Sequence, residues 1–113
     1  MTEKTWKATL DYFGLEGQVA IVTGAGNGIG EATATMLANL GAKVAVCDIE
    51  IARAERVAQN ITNCGGAAIA VACDVGSQEQ IERAVEEVAA QLGSIDILVN
   101  NAAGFGGYSY GGF

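Results

Sequence analysis

Four short apolar runs, rich in β-branched residues, recur along this chain: QVAIVT at 18–23, KVAVCD at 43–48, AAIAVACD at 67–74 and SIDILVN at 94–100. Runs of this length, bounded by turn residues, read as strands covered on both faces. Between the first two, residues 29–40 place Ile29, Thr33, Met36, Leu37 and Leu40 at helical spacing, and Gly41 is positioned to stop that helix. Residues 51–66 form a second amphipathic stretch that ends in a glycine pair. A third runs from Ser77 to Leu92, with Ser77 as N-cap, Gln80 closing a capping box, and Ile81, Ala84, Val85, Val88 and Leu92 along one face. A β-α-β-α-β-α-β order with helical crossovers demands parallel strands and right-handed connections. The chain is therefore expected to be α/β, a doubly wound parallel sheet that stops after strand 4, with spatial order 3-2-1-4. In such a sheet a ligand lies outside the carboxyl ends of the strands, where strands 1 and 4 send their connections to opposite sides.

The segment that meets this crevice is IVTGAGNGIGE at 21–31, in which Gly24, Gly26, Gly28 and Gly30 follow directly on the first strand. A strand feeding a helix through such a loop offers unpaired N–H groups and the positive end of a helix dipole, which favours a phosphate or diphosphate. Gly24 permits the tight turn, Gly28 lets a ligand approach the backbone, and Gly30 lets the helix pack on the sheet. Asp48 ends the second strand 18 residues beyond Gly30. That is close to the ~20 expected of a carboxylate accepting hydrogen bonds from an adenosine ribose. No Gly-Lys-Ser/Thr follows the loop, so it is not a Walker A phosphate loop.

Charge and cysteine usage remove other classes. The 113 residues carry 13 acidic against 6 basic side chains, net -7, which leaves no basic patch for nucleic acid or an anionic membrane. No uninterrupted apolar run reaches the ~18 residues of a membrane span, and MTEKTWKATLDYFGLEG has no secretory h-region, so a cytoplasmic location is the default. Cys47, Cys64 and Cys73 show no CxxC spacing and there is no histidine, so no metal site is expected and the thiols read as reduced. Cys47 and Cys73 each precede an aspartate at a strand end and are expected to be neighbours.

The glycines fit Thr-Gly-x-x-x-Gly-x-Gly, Thr23 to Gly30, rather than GxGxxG. With Asp74-Val75 after the third strand and Asn100-Asn101-Ala102-Ala103-Gly104 after the fourth, the pattern resembles the short-chain dehydrogenase/reductase family over about residues 13 to 104. The resemblance implies a Rossmann-type domain at 13–104, preceded by an extension at 1–12 and followed by a glycine/aromatic tail at 105–113 that is expected to be flexible. It implies that the loop Gly24, Ala25, Gly26, Asn27, Gly28 and Ile29, closed by Gly30, lies along the pyrophosphate and nicotinamide ribose of a dinucleotide. Asp48 is implied to hold the adenosine ribose, Asp74 and Val75 the adenine, and Asn100 with Ala102 the strand-4 side. A carboxylate at 48 repels a 2′-phosphate, and neutral Asn27 stands where NADP-using relatives often have a basic residue, so NAD is expected over NADP. Asp74 also has a simpler use, capping the turn it begins, and the Asn pair can tie off a strand end.

The family's reaction is hydride transfer between NAD(H) and an alcohol or ketone, with a Tyr-x-x-x-Lys pair and a serine as its catalytic groups. Tyr108 is followed four residues on by Gly112, and no lysine follows Lys43. A tyrosine of ordinary pKa near ~10 needs such a cation to act as a base. The chain is thus expected to carry no catalytic residue and to be inactive alone. The alternative is a non-catalytic module that binds NAD or adenosine, or that pairs with a partner through the exposed edge of strand 4.

Overall fold

The computed structural model describes residues 14–103; the expected extension at 1–12 and tail at 105–113 lie outside them. The elements are β1 Val19–Val22, α1 Gly28–Asn39, β2 Lys43–Asp48, α2 Ile51–Asn63, β3 Ala67–Ala72, α3 Gln78–Leu92 and β4 Ile97–Val99. All pairings are parallel and the strand order is β3-β2-β1-β4, as expected. β1 sits in register with β2 from Val19 opposite Lys43 to Val22 opposite Val46.

The period of two along each strand divides the core into two layers. Ala20, Val22, Val44 and Val46 face α1 and α2, where Ala34, Ala38, Ala54, Val57 and Ile61 meet them. Val19, Ile21, Ala45, Cys47 and Val71 face the other way, against Ala84 and Val88 of α3. With helices on both sides, β1 and β2 have no solvent face, which is why they are apolar throughout. The crossover from β3 to β4 passes over the opposite face from the first two, so β1 and β4 diverge at their carboxyl ends and open a crevice there.

Helix ends are closed by backbone bonds. After α1, the Gly41 N–H donates to the Ala38 carbonyl at 3.0 Å and the Ala42 N–H to that of Leu37 at 3.1 Å. The same 5→2 and 6→1 pair closes α2, from Gly65 to Thr62 and from Gly66 to Ile61, each at 3.0 Å. These reversals drop each helix directly into the next strand.

Four expectations need correction, some only in part. The fully buried face of α1 is Gly30, Ala34 and Ala38; of the expected stripe Leu37 packs against the same core, while Ile29 and Met36 are 79% and 65% exposed. Small residues four apart let α1 press close to the sheet beside the glycine loop, a fit that bulky side chains would prevent. On α3 Ala84 and Val88 are buried and Leu92 packs against the same core, while Ile81 and Val85 flank that face at 39% and 42% exposure. The capping box is half formed: Ser77 Oγ accepts from the Gln80 N–H at 3.3 Å. The Gln80 side chain turns away, its Oε1 accepting the N–H of Asp74 at 2.9 Å. Element bounds also tighten at β4, which is three residues rather than seven. Asp96 starts it by clasping Val19, its N–H donating to the Val19 carbonyl and its carboxylate accepting the Val19 N–H, both at 2.9 Å.

Candidate functional site

A cleft of about 320 Å³ opens at the carboxyl ends of the strands, lined on the β1 side by Gly24 and Asn27 and on the β4 side by Asn101, Ala102 and Ala103. Asp48, Ile49 and Arg53 close it after β2, and Cys73, Asp74 and Val75 after β3. Its size is at the lower end of the ~300–1,000 Å³ usual for small-molecule sites.

The β1 loop is built to turn at once and to leave space. Gly24 has φ +62°, and a Cβ there would lie 2.9 Å from Ala102 Cα, so the turn and the close approach of the β4 loop both exclude a side chain. Gly28 has φ +56° and nothing within 4 Å of where a Cβ would stand, which is open access to the backbone at the start of α1. A Cβ on Gly30 would collide with the Gly24 carbonyl and the Asn101 amide, so this glycine serves the packing of α1. Ala25 is fully buried and donates its N–H to the Cys47 carbonyl at 2.9 Å.

The first turn of α1 is uncapped. Asn27 stands at the N-cap without a side-chain cap bond, and the amides of Gly28, Ile29 and Gly30 find no acceptor among the described residues. Free donors at the positive end of a helix, with open space over Gly28, favour an anion by geometry and charge. α2 likewise starts without a side-chain cap, at Glu50, whereas Ser77 caps α3; what sets α1 apart is the open space over Gly28.

Asp48 is 6% exposed and organises the floor. Its Oδ2 accepts the Gly26 N–H at 2.9 Å and its Oδ1 the Glu50 N–H at 2.9 Å. Each carboxylate oxygen keeps a further lone pair, so the group can still accept from a hydroxyl. Asp74 performs the turn-capping role, with Oδ1 accepting the Gly76 N–H at 2.9 Å, and lines the cleft as well. Arg53, beside them, is paired with Glu50 at 3.1 Å.

Thr23, which opens the glycine motif, and Asn101, one of the asparagine pair expected to tie off the strand end, cross-link the two loops. The buried Thr23 Oγ1 accepts the N–H groups of Asn101 at 3.1 Å and Ala102 at 3.0 Å, while Asn101 Nδ2 donates to the Gly24 carbonyl at 3.1 Å. These bonds sew the β1 and β4 loops together and fix the cleft's width. Asn100, the other half of the pair, is exposed and does not line the cleft; nor do Ala25, Gly26, Gly28, Ile29 and Gly30, which lie behind or beside it. The other lining residues outside the expected set are Ile49, Arg53, Cys73 and Ala103. The signal for them is position alone, within a few residues of a strand's carboxyl end.

Cys47, Cys64 and Cys73 are free thiols. Burial, followed by the neighbouring Cys73, Glu87 and Asp48, pushes Cys47 up to about 12. Burial and then Asp74 raise Cys73. Both therefore stay protonated near neutrality and are poor nucleophiles. Among the described residues no group of three or more His, Cys, Asp or Glu is placed to hold a metal. No helix among them is long and apolar enough to cross a membrane. The polar groups around the cleft are thus backbone donors, carboxylates and one guanidinium, set beside the apolar Ile49, Val75, Ala102 and Ala103.

A family model described as short chain dehydrogenase matches residues 18–110. The 7alpha-hydroxysteroid dehydrogenase of Escherichia coli K12 is 43% identical over 96 residues, 85% of this chain but 38% of that protein. A solved 7alpha-hydroxysteroid dehydrogenase, complexed with NADH and 7-oxo glycochenodeoxycholic acid, superposes with TM-score 0.79 at 43% identity, over 80% of this chain and 36% of the other. A metagenomic short-chain oxidoreductase in complex with NADP gives TM-score 0.75 at 41% identity, over 80% and 41%. The chain spans less than half the length of these relatives. The glycine loop, the strand order and the match across the sheet converge: this chain belongs to the short-chain dehydrogenase family.

Proposed function

We propose that the cleft holds NAD(H), and that these residues are the dinucleotide-binding part of an oxidoreductase that moves hydride between NAD(H) and an alcohol or ketone. The observation that carries this reading is the uncapped first turn of α1, reached through an unobstructed Gly28, one strand away from the buried carboxylate of Asp48. The loop Gly24 to Gly30 would hold the pyrophosphate and adjoining ribose, Asp48 the adenosine ribose, Asp74 and Val75 the adenine, and Ala102 the side next to β4. The NADH complex of a protein 43% identical supports the same class of ligand.

The cofactor supplies the hydride acceptor or donor when bound; the residues of this chain orient it. NAD is favoured over NADP by charge, since Asp48, Asp74 and Glu50 stand against one guanidinium, Arg53, which Glu50 already engages. A 2′-phosphate brought beside Asp48 meets like charge. The Tyr-x-x-x-Lys and serine that act on substrate have no counterpart in this sequence, so we expect these 113 residues to bind without turnover.

Calorimetric titration tests the reading. NAD should bind more tightly than NADP, and Gly28→Val should abolish binding by placing a branched side chain where the ligand approaches. Asp48→Asn should weaken NAD by about tenfold, the worth of one charged hydrogen bond, and narrow the gap to NADP. Equal affinity of the wild type for the two dinucleotides, or indifference to Gly28→Val, would contradict it.

A further inference from the structure

Arg56 on α2 lies behind the cleft and does not line it. Its Nη2 donates to the Gly26 carbonyl at 3.0 Å and to Glu31 Oε1 at 2.7 Å, and its Nη1 donates to Glu31 Oε2 at 3.2 Å. The Gly26 N–H meanwhile goes to Asp48 Oδ2 at 2.9 Å. Gly26 is therefore gripped at both ends by groups from the second βα unit, one of them charged positively and the other negatively.

Two consequences follow for the loop. The peptide joining Gly26 to Asn27 is planar and trans, so drawing the carbonyl toward Arg56 sends the Asn27 N–H the opposite way. Asn27 lines the cleft, and its N–H has no acceptor among the described residues. Among the described residues Arg56 is the group that engages that carbonyl, and a carbonyl turned toward an anion would repel it. Glu31, secondly, is the acidic residue of the first turn of α1. A carboxylate suits the helix dipole but opposes an anion bound at the same end. The bidentate guanidinium offsets that charge, and its hydrogen bonds hold the Glu31 carboxyl below its usual range.

We propose that Arg56 is a positioning residue for a diphosphate-bearing ligand: it fixes the Gly26 carbonyl away from the cleft and neutralises Glu31, so that the loop amides meet the anion without opposition. The inference rests on the dinucleotide reading of the cleft and adds a residue that touches no ligand.

The test is titration of the full chain with NAD, ADP-ribose and adenosine, in the wild type, Arg56→Ala, Arg56→Lys and the double variant Arg56→Ala/Glu31→Gln. Arg56→Ala should weaken NAD and ADP-ribose about tenfold and leave adenosine, which has no diphosphate, unchanged. Arg56→Lys should recover part of the loss through its charge, and the double variant part through removal of the bare carboxylate. The pair is half exposed, so thermal melts of these variants should lie within a few degrees of the wild type. Equal losses for adenosine and NAD would reveal a merely structural role and overturn the proposal, as would unchanged NAD affinity in Arg56→Ala. Should Arg56→Ala fold poorly, no dinucleotide-selective loss in Arg56→Lys would overturn it equally. A wild type that binds neither NAD nor ADP-ribose would instead remove the cleft reading itself.

Discussion

Thr23 shows how one hydroxyl can set the geometry of a site it never enters. Its oxygen collects two amides from the β4 loop, and its backbone N–H reaches the Val99 carbonyl at 3.1 Å, so the two loops that frame the cleft share a single anchor. Replacing it with valine keeps the shape and strands both donors. Thr23→Val should cost about 1–3 kcal/mol in urea unfolding, whereas Thr23→Ser should retain most of the stability; equal stability of the valine variant and the wild type would refute the anchor. At this scale the sequence is informative where backbone chemistry restricts the choice of residue. Gly24, Gly30 and Asp48 are legible because a tight turn, a close helix and a carboxylate at a fixed offset each admit few alternatives. Asn101 is not legible. In an Asn-Asn pair only the exit angle of the strand decides which side chain turns toward the glycine loop, and that angle depends on Thr23 across the sheet.

Elements are legible in type and misleading in facing. Alternating strand and helix patterns predict the parallel sheet, and the glycine loop after β1 with the carboxylate ending β2 points to the observed order among the doubly wound alternatives. The buried face of α1 is different, because hydrophobic periodicity favours large residues while this helix packs by its smallest. Close approach beside the glycine loop outweighs the burial of Ile29 and Met36. The distinction can be measured. Ala34→Leu, at a fully buried position, should destabilise the chain by roughly 1–3 kcal/mol, and Met36→Gln should change stability by no more than about 0.5 kcal/mol. The reverse ranking in thermal or urea unfolding would mean that α1 sits on the sheet by its bulky face. On α3 the miss has a related cause: Gln80 has two possible partners, and the turn at Asp74 competes successfully for its side chain.

Taken whole, the molecule places its polar backbone chemistry at one end of a sheet whose two faces are closed by helices. The net charge of -7 does not contradict an anionic ligand, because the donors that would meet it are amides at a helix start and the nearby Glu31 is offset by Arg56. β4 lies at the sheet's outer edge with Leu98 58% exposed, a strand still able to pair. The fold and the crevice were accessible from alternation and glycine spacing; the cross-ties that set its width were not, since they join residues 76 to 79 positions apart. The most direct measurement of the central claim is a ¹⁵N–¹H NMR titration of the chain with NAD. The amides of Asn27, Gly28 and Ile29 should shift together with those of Asp48, Asp74 and Val75, saturating at one common affinity. Amides of the glycine loop that stay fixed while NAD is added, or shifts confined to another surface, would contradict it.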